Sequence, residues 1–160
     1  MLNFSQIFIE GMLLSAFFCF GVLGMLAYNP RLLLNDYPQS IRLSAPPKSS
    51  KETKLTRAVG IPFAAVLLIA PFISTLHYGE IAFIHAFLHP FLVFAIVSLV
   101  DLIVVDWLIF CFITPDFLVI PGTKGMKDYK NYRFHFFAFL KGIVVYGGLC
   151  MVIAGIRMLL

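Results

Sequence analysis

Charge is what this chain has least of. Only 12 % of its 160 residues are Asp, Glu, Lys or Arg, about half the usual share in soluble domains. A soluble protein of this size lacks the interior volume to hide the 61 % of residues that are hydrophobic, whereas a bilayer accepts them. Cysteine is scarce too. Cys19, Cys111 and Cys150 sit apart inside apolar runs, with no CxxC and no Cys/His ligand spacing, which excludes a disulfide framework or a zinc site. Also missing are a phosphate-cradling GxxxxGK, the zinc motif HExxH, a GxSxG elbow and a DxD carboxylate pair, so the common nucleotide, protease and hydrolase chemistries have no foothold. No Lys or Arg precedes the first apolar run, and that run is expected to stay as a membrane helix rather than be cleaved. No internal repeat is present.

What the chain does have is four apolar stretches of the ~20 residues needed to cross a ~30 Å hydrocarbon core. They run over about residues 7–28, 58–76, 90–113 and 136–160. The third apolar stretch begins earlier, near Ile81, and a straight helix from there to Ile113 would reach roughly 50 Å. A break at His89-Pro90 is therefore expected, because the residue before proline is pushed out of helical geometry. The expected fold is all-α, a single transmembrane domain over residues 1–160 with four spans.

Eleven of the twelve cations fall on one side of this arrangement. Residues 29–57 hold Arg31, Arg42, Lys48, Lys51, Lys54 and Arg57; residues 114–135 hold Lys124, Lys127, Lys130 and Arg133; Lys141 opens the fourth span. Lys- and Arg-rich loops stay in the cytoplasm, which predicts both termini outside and two basic cytoplasmic loops. The net charge of +4 then reflects contact with anionic lipid headgroups, and no nucleic acid is needed to explain it. In the first loop, Ser44 to Ser50 has the composition of a flexible linker. Ser49 with Glu52 fits a capping box, so a helix is expected to begin near Ser50. In the second, Thr114-Pro115-Asp116 resembles a helix start and Pro121-Gly122 a tight turn. Tyr129, Tyr132, Phe134 and Phe136 interleave with Lys127, Lys130 and Arg133, as in an aromatic belt at a membrane surface.

An ionisable group inside a span costs about 2.5–3.5 kcal/mol on the lenient insertion scale and marks a functional candidate. Asp106 and Lys141 fall roughly 10 Å and 8 Å inward from the cytoplasmic side, depths that suit a pair. Asp101 falls near mid-bilayer with Ser98 one turn away, and Tyr146 at matching depth. On an α-helix Asp101 and Asp106 are about 140° apart, which argues against one shared carboxylate site. At the outer face lie Glu10, His85, His89 and Arg157. His85 and His89, at i and i+4, have a spacing that can hold a metal, but interfacial hydrogen bonding fits them better, and no metal or other cofactor is expected. Glu10 with Arg157 is the natural ion pair there. Gly21, Gly24, Gly142, Gly147, Gly148 and Gly155 are expected at close helix approaches, without a GxxxG dimer motif.

Three function classes fit an integral membrane protein of this kind. One handles an ion or small solute through the buried carboxylate Asp101, as a homo-oligomer. The second is a non-catalytic subunit that docks a larger membrane partner through Gly125–His135. The third is an embedded enzyme acting on lipid at the cytoplasmic face through Asp106, Lys141 and the second loop. The cysteine pairs of small four-helix thiol oxidoreductases are absent. The short loops and mid-helix glutamate of small multidrug exporters are absent as well.

Overall fold

The computed structural model describes residues 2–159, and every ordered element among them is helical. Helix α1 covers Phe4–Tyr28, and the Asn3 side chain caps it by accepting from the Gln6 N–H at 3.1 Å. It stops where Pro30, lacking an N–H, opens a 3₁₀ helix over Pro30–Asp36. Short α2 (Gln39–Ser44) follows, then α3 (Ser50–Leu76), α4 (Phe83–Val100) and α5 (Tyr132–Arg157). Four helices are long and apolar enough to cross a membrane: α1, α3, the α4 helix extended to Ile113, and α5. Leu160, the expected end of the last span, lies outside the described residues.

The expected break at His89-Pro90 does not occur. Helix α4 runs through Pro90 and continues from Val100 directly into a π-helix over Asp101–Ile113. Pro90 and its neighbours His89, Val93 and Phe94 are all buried, and α4 packs against α1, α3 and α5. That central packing offsets the hydrogen bond Pro90 cannot make, as it does for other prolines in membrane helices. The length problem is eased by the π-helix, whose wider i→i+5 turns rise less per residue. The segment ends at Thr114, whose N–H bonds the Ile109 carbonyl at 2.8 Å across five residues. Thr114 itself is left-handed (φ 49°), a conformation rare for a β-branched residue, and its hydroxyl donates to the Phe110 carbonyl at 2.9 Å.

The capping box is present as expected. Ser49 Oγ accepts from the Glu52 N–H at 3.2 Å, and Glu52 Oε2 accepts from the Ser49 N–H at 2.7 Å. The stretch before it, expected as a linker, makes specific contacts. Arg31 Nη2 donates to the Pro46 and Pro47 carbonyls at 3.1 and 3.0 Å, while Arg31 Nε holds Glu52 Oε1 at 2.6 Å. Lys48 Nζ donates to the Leu32 carbonyl. One bidentate guanidinium thus ties three segments together, which composition alone does not reveal.

Both loops fold onto each other at one end of the bundle, called here the loop end. Leu26, Leu34, Tyr37, Ile41, Phe110, Leu118, Ile120 and Tyr129 share a small core there. The Tyr37 hydroxyl donates to the Leu118 carbonyl at 2.7 Å, joining the first loop to the second. Tyr129 accepts from the Ile120 N–H at 2.9 Å and meets Thr123 Oγ1 at 2.6 Å. Pro121-Gly122 forms the expected turn, with Gly122 at φ +86° and the Thr123 N–H returning to Ile120. Thr114-Pro115-Asp116 leads into a single 3₁₀ turn, Asp116–Leu118. The Lys124–Asp116 bridge at 2.8 Å is largely solvated and contributes little.

Outside this core, the helices present apolar side chains on all sides: Leu13, Phe20, Ile61, Val144 and Val152 are each at least 60 % exposed in the isolated chain. Such a surface requires an apolar medium around it. Close helix approach is confined to few glycines. A methyl group on Gly11 would lie 2.9 Å from three Ile96 atoms, and one on Gly21 would lie 2.3 Å from the Phe63 ring. Gly24, Gly148 and Gly155, expected at contacts, have no heavy atom within 4 Å of that position.

Candidate functional site

Polar side chains inside this apolar bundle gather in two places. The first is at the end opposite the loops, where α1, the α3–α4 turn and α4 meet. His89 is completely buried there. Its Nε2 lies 3.0 Å from Glu10 Oε2 and its Nδ1 lies 3.0 Å from the Tyr78 hydroxyl. The result is a carboxylate–imidazole–phenol chain. With Glu10 ionised, Nε2–H donates to it and Nδ1 accepts the tyrosine proton; a second proton on the ring reverses the tyrosine bond. Glu10 Oε1 is buried without a protein partner. Gly11, next to Glu10, lets α1 close on Ile96 of α4. Gly11→Ala is therefore expected to destabilise the protein by about 1–3 kcal/mol and to loosen the Glu10–His89 bond, measured as a downfield-shifted imidazole proton that disappears from the NMR spectrum.

The other outer-face candidates are placed differently from expectation. Glu10 does not pair with Arg157. Arg157 Nε donates to the Thr75 carbonyl at 3.4 Å and its Nη2 to the Gly79 carbonyl, satisfying acceptors that the end of α3 leaves free. His85 is half-buried beside Tyr78 and Glu80, lining a cavity of about 210 Å³. It shares no ligand with His89, both of whose ring nitrogens are occupied, and no group of three His, Cys, Asp or Glu suited to a metal occurs among the described residues.

The second gathering lies toward the loop end. Asp106 Oδ1 is 2.8 Å from His135 Nδ1, and the two side chains are 21 % and 4 % exposed. The Phe110 ring packs 4.8 Å from the imidazole. His135 Nε2 is buried with no protein partner, as is Trp107 Nε1. The expected Asp106–Lys141 pair is not made: Lys141 is exposed. The reason is that α5 begins at Tyr132, capped by Asn131, whose side chain accepts from the Phe134 N–H at 3.0 Å. His135 thus belongs to the helix and faces Asp106. Lys141, six residues on, points about 120° away.

Asp101 and Asp106 do come within electrostatic reach of one another. The 140° separation expected between them holds for an α-helix. In the π-helix, the wider i→i+5 turn reduces the angle between positions five apart. Asp101 also acts through space on Cys19 of α1 and Tyr146 of α5. No side-chain hydrogen bond joins it to Ser98 or Tyr146 among the described residues; Tyr146 instead stacks on Phe94 at 4.5 Å, and the Ser98 carbonyl accepts the Asp101 N–H. Asp36, at the end of the first loop's 3₁₀ helix, lies within reach of both span aspartates. Burial raises its carboxyl above the usual value, with Lys48 opposing and Asp106 adding to the rise.

Three participants escaped the sequence reading: Tyr78, Asp36 and His135. Only His135 left a usable signal, since Asn131 three residues before Phe134 is a helix-cap pattern that moves the start of the last span upstream. Comparison with family models, with curated proteins and with solved structures finds no match for this chain.

Proposed function

We propose that this chain conducts protons across a membrane, with Asp101 as the central exchange site and its basic loops in the cytoplasm. The observation that carries the reading is the wide turn that holds Asp101 and Asp106 closer around the axis than α geometry would, with Asp106 in turn bonded to His135. An imidazole is the side chain best suited to change charge near neutral pH, and its second nitrogen is free of protein partners. At the opposite end the Glu10–His89–Tyr78 chain supplies a matching exchange group. Carboxylates within a span are found in proton relays for the same reason: they can hold a proton without holding a net charge in hydrocarbon.

The test is a liposome assay with an imposed pH gradient, valinomycin and an interior pH dye. Wild-type protein is expected to collapse the gradient, and Asp101→Asn to slow collapse more than tenfold while keeping its helical circular dichroism. Wild-type leakage no faster than empty liposomes, or full flux in the variant, sinks the reading.

A second reading, a subunit that associates within the membrane, rests on α5. Only 6 % of its most apolar window is buried within the chain. The docking segment expected at Gly125–His135 is a poorer contact than that helix, because Tyr129 and His135 are both used internally.

A further inference from the structure

A second site stands apart from the span carboxylates. Where the first loop meets the start of α3, a cavity of about 710 Å³ is lined by Arg42, Lys48, Arg57, Thr53, Thr56 and Leu43, among others. Its cations are unevenly occupied. Lys48 is engaged by the Leu32 carbonyl and lies 3.4 Å from the Thr56 hydroxyl. Arg42 and Arg57 are exposed and make no ion pair among the described residues. Of the nearby acids, Glu52 is held by Arg31, and Asp36 acts on Lys48 from outside the cavity lining. The helix start itself offers no free N–H at Glu52, because the capping box closes it.

The surroundings are apolar on the side toward the span. Leu43 lines the cavity and is 73 % exposed, and Ile61, one turn beyond Arg57 on the same face of α3, is 66 % exposed. From this arrangement we infer that the cavity binds the phosphate headgroup of an anionic phospholipid, whose acyl chains lie along α3. Two unpaired guanidiniums match a phosphate bidentately, and Leu43 with Ile61 accepts the chains. A free anion would use the first feature but not the second. Burial holds Lys48 below the ordinary lysine range, and a bound phosphate favours its charged form. The site is independent of proton conduction, and the inference stands or falls without it.

The full chain in neutral detergent micelles is titrated with short-chain phosphatidylglycerol, short-chain phosphatidylcholine and inorganic phosphate, with binding read by native mass spectrometry. Phosphatidylglycerol is expected to bind at least tenfold more tightly than either other probe. Each basic residue near an anionic headgroup contributes about a fivefold gain, so Arg42→Gln/Arg57→Gln should weaken phosphatidylglycerol binding about 30-fold. The single variants, at about fivefold each, decide the matter if the pair does not fold. Lys127→Gln/Lys130→Gln removes the same charge from the other loop and should leave binding within twofold. Equal losses in both double variants would reveal diffuse attraction and overturn the site. So would inorganic phosphate binding as tightly as the lipid, since the acyl chains would then play no part.

Discussion

Replacing His135 with phenylalanine is expected to destabilise the protein by about 3–5 kcal/mol, the range for removing one partner of a buried pair. The imidazole is nearly inaccessible and its Nδ1 sits 2.8 Å from Asp106. Phenylalanine fills the space beside Phe110 but leaves a carboxyl inside the span without a donor. Removing both partners, as Asp106→Leu/His135→Phe, should recover most of the loss, because two apolar groups need no compensation there. Unfolding in mixed micelles titrated with sodium dodecyl sulfate, followed by circular dichroism, measures all four corners of the cycle. A coupling energy below about 0.5 kcal/mol would mean the pair contributes nothing to the fold.

Substitution of His89 by leucine should be nearly as damaging. His89 is fully buried, and its loss strips partners from both Glu10 Oε2 and the Tyr78 hydroxyl. Glu10 then has no protein partner on either oxygen, since Oε1 already lacks one. About 3 kcal/mol or more is expected in the same unfolding assay, whereas Glu10→Gln, which retains an acceptor for Nε2–H, should cost about 1 kcal/mol. The ranking of the two variants is the informative result. If Glu10→Gln proved the more damaging, the Glu10 charge rather than the hydrogen bond would hold the site together.

The spans are legible in the sequence because their signal is long and redundant; each runs over about the 20 residues needed to cross a bilayer, and no single position decides it. The Ser49–Glu52 box and the Pro121-Gly122 turn were legible for a different reason, as local chemistry with fixed spacing. Contacts between spans were not. Asp106 was matched with Lys141 by depth alone, and depth ignores which way a side chain points around its helix. His135 falls outside the fourth apolar run as composition delimits it, because the helix starts four residues before that run, at Tyr132. Pro90 was read as a break because the rule for the residue before proline is local, while the packing of His89, Pro90 and Phe94 against neighbouring helices is not. Nothing in the apolar run Asp101–Ile113 distinguishes i→i+5 from i→i+4 bonding, so the reduced angle between the two span aspartates could not be read from residue order.

The unusual winding of Asp101–Ile113 makes one backbone coordinate control two side chains. Were that stretch to tighten into ordinary α geometry, Asp106 would swing around the axis relative to Asp101 and away from the imidazole on α5. The segment beyond it would screw lengthwise at the same time, pulling on Thr114 and the folded loops it anchors. Uncoiling at this segment, polar contact inside the bundle and the position of the loop layer are therefore mechanically geared to one another.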